Sequence, residues 1–122
     1  MLDHITLPVS NYPETKTKYD AVFSAINIKC VHEGDGYAGY GVDRPEFWIS
    51  EPYEGKPSAQ NAHIAIAVAS KDLVNKFHEA ALAQGWKDNG APGPRPEYDD
   101  NYYGAFVLDQ DGNNIEAVYR GE

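Results

Sequence analysis

The chain contains the same strand pattern twice, and this repeat limits the folds open to it. Residues 2–10 read LDHITLPVS and residues 61–69 read NAHIAIAVA. When the two stretches are aligned on His4 and His63, apolar residues fall at matching alternate positions, as in a strand with one buried face. The chain is therefore predicted to consist of two copies of one structural unit.

Each of these strands is followed by the pattern of a helix. Asn11 is the expected N-cap of the first helix, with Pro13 in its first turn. Ser70 is the expected N-cap of the second helix, and Gly85 is well placed to end it. Apolar residues recur at helical spacing at Tyr19, Val22, Phe23 and Ile26, and again at Leu73, Phe77 and Ala81.

The repeat continues to the end of each copy. In residues 39–49 and 104–117, a strand runs into an Asp-led turn and a second strand emerges. The sequence therefore predicts an α+β chain of two β-α-β-β-β modules within a single domain, residues 1–122. The modules cover about 1–53 and 60–122, and 54–59 form a linker.

Residues 88–101 have no counterpart in the first copy. This stretch contains three prolines and two glycines, which disfavour a helix and a central strand. A long loop is therefore predicted here, and loops of this length in compact domains are often functional.

Composition narrows the range of partners. The formal charge is −9, which disfavours binding to nucleic acid or to an anionic membrane. The single Cys30 fits a reducing compartment, and no secretory signal or membrane-length apolar run is present. A cytoplasmic protein is expected, with either a small molecule or another protein as its partner.

Three residues form a candidate metal site. If the modules pack side by side, His4 and His63 occupy equivalent strand positions and approach each other. Glu116 lies in the last predicted strand between apolar neighbours, where an unpaired charge is costly and needs a reason. Imidazole and carboxylate together suit a divalent metal.

The sequence resembles the vicinal oxygen chelate superfamily, which includes glyoxalase I, bleomycin-resistance proteins, fosfomycin thiol transferases and extradiol dioxygenases. The resemblance rests on LDHITL at residues 2–7, AHIA at 62–65 and VLDQDGNNIE at 107–116. The last stretch is similar to the family's turn before a metal-binding glutamate, with Gln110 in place of the usual proline. The resemblance implies a curved mixed sheet around a central cleft.

Carried over by position, the resemblance implies that His4, His63 and Glu116 hold one divalent ion, either Fe, Mn, Zn or Ni. Glyoxalase I uses a fourth ligand, and its position aligns with Trp48, which cannot coordinate a cation. The resemblance also implies small-molecule substrates and a homodimer. Whether the site lies in one chain or between two stays open.

Other residues are candidates for contact with substrate. Thr6 shares the His4 face of its strand, and Trp48 and Tyr102 are expected to line the pocket. Glu116 and Tyr103 are the candidate catalytic residues, with Tyr103 as a hydrogen-bond donor or an acid/base. Arg95 is a candidate partner for an anionic substrate.

Two functions remain open. The first is a metal-dependent enzyme on a small oxygen-rich molecule, with lyase, thiol-transferase and dioxygenase chemistry all open. The second is a metal-free protein that sequesters a drug, as in the bleomycin-resistance branch. The retained ligand set favours the enzyme, whereas the acidic composition also suits binding of a cationic drug.

Overall fold

The computed structural model describes residues 1–121 and contains the two predicted β-α-β-β-β modules. The first module comprises β1 (Ile5–Pro8), α1 (Tyr12–Ser24), β2 (Lys29–Gly34), β3 (Tyr37–Gly41) and β4 (Phe47–Ser50). The second comprises β5 (His63–Ala67), α2 (Lys71–Ala83), β6 (Lys87–Pro94), β7 (Tyr102–Leu108) and β8 (Asn114–Arg120). The predicted α+β class is confirmed. No helix within the described part of the chain is long and apolar enough to cross a membrane.

Each module forms its own four-stranded sheet, in the orders β1-β4-β3-β2 and β5-β8-β7-β6. In both sheets the first strand pairs in parallel with the last, and the other neighbours are antiparallel. The pairing of the strands also repeats between the two modules. Thr6 of β1 pairs with Trp48 of β4, and the equivalent Ala65 of β5 pairs with Glu116 of β8. Trp48 and Glu116 therefore occupy equivalent positions, as the sequence alignment predicts.

The helix boundaries follow the predicted signals with one difference. The Ser70 hydroxyl accepts a hydrogen bond from the Leu73 amide at 3.2 Å, which is a side-chain N-cap. Gly85 has a φ of 85° just after α2, a conformation that glycine adopts without strain. Asn11 occupies the N-cap position of α1, but its side chain donates to Glu14 at 3.0 Å and does not cap the helix.

The prediction of a loop over residues 88–101 is wrong for its first half, which forms strand β6. This strand lies at the end of its sheet and pairs only with β7, with shifts in register on both sides of Gly90. Prolines are tolerated on such an edge strand, because their missing N–H groups can face away from the neighbouring strand. The hairpin closes where the Arg95 amide donates to the Tyr102 carbonyl at 2.8 Å.

The two modules share one apolar core, built where α1 meets the second module. The ring of Tyr19 lies 4.7 Å from that of Trp86 and 5.6 Å from that of Phe47. The Tyr19 hydroxyl donates to Asp109 at 2.7 Å. Strand residues such as Ile49 and Ile115 are fully buried in this core. Since side chains alternate across a sheet, their neighbours lie on the opposite side of each sheet, here called the outer face.

Alkaline pH is expected to destabilise this core. Burial, reinforced by Asp109, raises the pKa of Tyr19, and burial with a hydrogen bond to Asp20 raises the pKa of Tyr40. Tyrosine in an unfolded chain has a pKa of about 10. The stability of the neutral folded phenols is therefore fully present below about pH 10 and lost as the pH rises above it.

Urea unfolding measured between pH 8 and pH 12 should show a falling free energy of unfolding at the alkaline end. Tyr40→Phe should flatten this fall, because the variant has one fewer buried phenol. The expectation would be contradicted by a wild-type free energy of unfolding that stays constant up to pH 12, with the same constant profile in Tyr40→Phe.

Candidate functional site

The outer face of the second sheet carries a histidine and a glutamate in direct contact. Glu116 lies on β8, which is bordered by β5 and β7, and only 1% of its surface is exposed. His63 opens β5, and its Nε2 lies 2.8 Å from Glu116 Oε1. The His63 side chain is 54% exposed, so the pair combines a buried carboxylate with an imidazole that solvent and ligands can reach.

Tyr102 is the second partner of this carboxylate, and its hydroxyl donates to Glu116 Oε2. Gly104 makes the contact possible, since a Cβ there would lie 3.0 Å from the Tyr102 ring and 3.3 Å from Oε2. Burial, followed by the hydrogen bond and charge of Glu116, raises the pKa of Tyr102 to about 12. The phenol therefore keeps its proton near neutral pH and acts as a donor to the carboxylate.

His4 lies apart from this pair, in the first module. Its Nδ1 contacts Asp3 Oδ1 at 2.6 Å, and its side chain is 53% exposed. Among residues 1–121, no three His, Cys, Asp or Glu side chains are grouped so that they could hold a metal ion. One chain thus brings together His63 and Glu116 from the predicted ligand set but leaves His4 outside.

A cavity of about 410 Å³ adjoins His4 and reaches strand β5 of the other module. Ile5, Ile64 and Ile66 are half-buried at its wall. Strands β1 and β5 each lie at the end of their sheet and pair on one side only. The surface around His4 is therefore apolar and bordered by two strands that have a free edge.

The first sheet has an aromatic cluster where the second sheet has its carboxylate. The Trp48 ring lies 5.6 Å from the His32 ring and 6.1 Å from the Tyr37 ring. A Cβ on Gly39 would lie 2.9 Å from Trp48, so glycine leaves space for the indole. Thr6 pairs with Trp48, which makes these two predicted substrate contacts neighbours. Sequence reasoning missed His32 and Tyr37, although strand alternation could have put Tyr37 on the same face.

Tyr103 does not reach Glu116. Its hydroxyl donates to Asn75 of α2 at 2.8 Å, and Lys71 lies over its ring at 5.4 Å. Because adjacent strand residues point to opposite faces, Tyr103 faces the helix while Tyr102 faces the carboxylate. The acid/base role predicted for Tyr103 therefore does not fit its position, and Tyr102 is the phenol at the site.

Arg95 lies on the outer face, close to the pair. Its guanidinium carbon is 5.3 Å from the centre of the Phe106 ring. The same ring lies 6.1 Å from the His63 ring, and Phe106 pairs with Glu116 in the sheet. The structure thus places the Arg95 cation on the same face as the histidine–glutamate pair.

These features, two linked β-α-β-β-β modules and a polar site on the outer face, define a protein of the glyoxalase-like fold. The chain belongs to the Glyoxalase/Bleomycin resistance protein/Dioxygenase superfamily, whose model matches residues 1–117. This membership confirms the resemblance drawn from the sequence. Members include enzymes as well as proteins without catalytic activity.

Solved structures support the fold assignment. A glyoxalase/bleomycin resistance protein from Albidiferax ferrireducens T118 is 27% identical, with a TM-score of 0.87 and 99% of both chains covered. A family enzyme from Burkholderia phytofirmans PsJN is 15% identical, with a TM-score of 0.75 and 98% of both chains covered. A lactoylglutathione lyase from Agrobacterium tumefaciens is 14% identical, with a TM-score of 0.70 and coverage of 98% and 92%. Among proteins of curated function, none matches this chain.

Proposed function

We propose that the protein is a metal-dependent enzyme that acts on a small oxygen-rich molecule, with its site completed by a second copy of the chain. The observation that carries this proposal is the contact between His63 and the buried Glu116 at 2.8 Å on the outer face. A carboxylate with so little exposure is costly to keep at a sheet surface unless it has a partner or a function.

The donors suit a borderline divalent cation. Imidazole nitrogen and carboxylate oxygen are ligands for Zn, Fe, Mn or Ni, and His63 and Glu116 already lie side by side. The third donor would be His4 of a second copy. In support, His4 and His63 are equivalent in the repeat and both are half-exposed. The apolar cavity beside His4 and the free edges of β1 and β5 also favour contact with another chain.

A divalent ion at this site would supply Lewis-acid polarisation of neighbouring substrate oxygens. The chain's own residues would orient the substrate and donate hydrogen bonds to it. Tyr102 holds a proton at Oη beside Glu116, so it can donate a hydrogen bond to a substrate oxygen when it releases the carboxylate. Thr6 and Trp48, on the first sheet of the copy that supplies His4, would contact the rest of the substrate. Lyase, thiol-transfer and dioxygenase reactions can all use such chelation.

A second candidate is metal-free binding of a small molecule. The aromatic cluster of Trp48, His32 and Tyr37 favours it, because Trp48 takes the position equivalent to Glu116 and offers an aromatic surface in place of a further ligand. Such surfaces bind flat apolar groups through stacking and burial.

Metal analysis separates the two candidates. Protein purified without chelator is expected to contain close to one divalent ion per chain. His63→Ala and Glu116→Gln should each lower metal affinity at least about tenfold, because each removes a ligand. Elemental analysis and titration with Zn(II), Mn(II), Fe(II) and Ni(II) measure both quantities.

His32→Ala is the matched control, since it removes an exposed imidazole from the outer face of the first sheet without removing a proposed ligand. Its metal content should equal that of wild type. Wild-type protein that binds none of the four ions would rule out the metal-dependent enzyme and leave metal-free binding as the function.

A further inference from the structure

We propose that Arg95 forms an anion-binding subsite, so that the molecules bound beside His63 and Glu116 carry a carboxylate or a similar anionic group. The inference deepens the proposed function and rests on the outer face of the second sheet being its binding site. It does not depend on a metal.

The Arg95 guanidinium is held in one position by its surroundings. Its Nη1 donates to the carbonyls of Gly93 and Pro94 at 2.9 and 3.3 Å, and its Nη2 donates to the carbonyl of Ala91 at 2.8 Å. The group also stacks on Phe106. A side chain fixed in this way loses little further conformational freedom when a ligand binds, which favours affinity.

The charge of Arg95 has no counter-ion within the described part of the chain. The chain has three arginines. Arg44 pairs with Asp3 at 3.3 Å and Arg120 pairs with Asp99 at 3.1 Å, whereas the hydrogen bonds of Arg95 to other described residues all go to carbonyl oxygens. A guanidinium has five N–H donors, so two remain for a ligand.

The position of Arg95 suits a ligand that also reaches the histidine–glutamate pair. The Phe106 ring neighbours both, 5.3 Å from the guanidinium carbon and 6.1 Å from the His63 ring. A single small molecule can therefore contact both the Arg95 guanidinium and the histidine–glutamate pair. Gly90 makes room for this arrangement, because a Cβ there would lie 2.9 Å from Phe106 and 3.3 Å from Arg95 Nη2.

The competing interpretation is that Arg95 only stabilises the end of β6 through its hydrogen bonds to the backbone of that strand. Three bonds to carbonyls serve that purpose, but they do not require the remaining two donors or the positive charge. In a chain of net charge −9, a fixed cation without a carboxylate partner, next to a proposed binding site, is better explained by an anionic ligand.

The test compares benzoate with benzamide, two probes of similar shape that differ in charge. Each is titrated into metal-free wild-type protein and followed by NMR chemical shifts. Benzoate is expected to bind about tenfold more tightly than benzamide, the size of effect typical of a charge-assisted hydrogen bond. The overall acidity of the protein opposes this preference, so the preference cannot arise from net charge.

Arg95→Gln should abolish the preference for benzoate. Lys76→Gln is the matched control, since it also removes one positive charge but lies on α2, exposed and paired with Asp72. It should retain the preference. If Arg95→Gln does not fold, as judged by its melting temperature, Arg95→Lys replaces it. This variant keeps the charge without the fork of donors, and it should show a preference reduced at least about threefold.

Equal affinity of wild type for the two probes would overturn the proposal, and so would a benzoate preference that persists undiminished in the Arg95 variants. Because these titrations contain no metal, their failure is separate from failure of the metal-dependent function. A protein that prefers benzoate but binds no divalent ion would keep the anion subsite and lose only the metal.

Discussion

Mixing His4→Ala chains with Glu116→Ala chains is expected to restore metal binding that neither variant has alone. In a two-fold dimer with shared sites, each site takes His4 from one chain and His63 with Glu116 from the other. A hybrid dimer then has one site with all its ligands and one site with both defects. If chains pair at random, about half of the dimers are hybrids and about a quarter of the wild-type metal should return.

The control mixture combines His63→Ala with Glu116→Ala. Both changes damage the same half of the site, so every site in a hybrid lacks a ligand and no metal should return. The chains are unfolded and refolded together, and differently tagged copies report the fraction of hybrids. Hybrids that form but bind no metal, or a monomer in sedimentation experiments, would contradict a shared site.

The repeat in the sequence predicts most of the fold because both strand faces and helix ends are set by residues close together in the chain. Alternating apolar residues identify which face of β1 and β5 is buried, and Ser70 and Gly85 mark the ends of α2. The equivalence of Trp48 and Glu116 also follows from aligning the repeats, and the strand register confirms it.

The way the two modules meet is not a local property of the sequence. It depends on contacts between distant residues, above all Tyr19 with Trp86 and Asp109. Within residues 1–121 the resulting arrangement does not group His4 with His63 and Glu116 as a set that could hold a metal ion. The repeat predicts which residues are equivalent, but equivalence alone does not bring them together in one chain.

Two other differences between the sequence prediction and the structure depend on where a residue lies in its strand or sheet. A displacement of one residue moves a side chain to the opposite face, which separates Tyr102 at Glu116 from Tyr103 at Asn75. In β6, prolines that would break a central strand are accepted at an edge, and pairing resumes on either side of Gly90. Neither the face nor the edge is evident from residue type alone.

The second large effect is expected at the junction between the modules, where Asp109→Ala should lower the free energy of unfolding by about 3 kcal/mol. Asp109 is 5% exposed and accepts hydrogen bonds from the Tyr19 hydroxyl and from the amides of Asp111 and Asn113. The Asn113 side chain donates to it as well. Alanine would leave the buried Tyr19 hydroxyl and the buried Asn113 amide without their acceptor, whereas the Asn113 side chain keeps its bond to the Ala59 carbonyl. An unsatisfied buried donor costs more than the net worth of the bond it lost.

Urea unfolding at pH 7 measures this loss, and two further variants show its origin. Asp43→Ala removes a carboxylate from the exposed turn between β3 and β4 and should change stability by less than about 0.5 kcal/mol. Tyr19→Phe removes one donor while the ring stays in the core, so it should cost about 1 kcal/mol. A loss below about 1 kcal/mol in Asp109→Ala would mean that apolar packing alone holds the modules together. The expected larger loss would mean that the Asp109 carboxylate also stabilises the protein, through the turn between β7 and β8 and, by the share that Tyr19→Phe reproduces, through its bond to the first module.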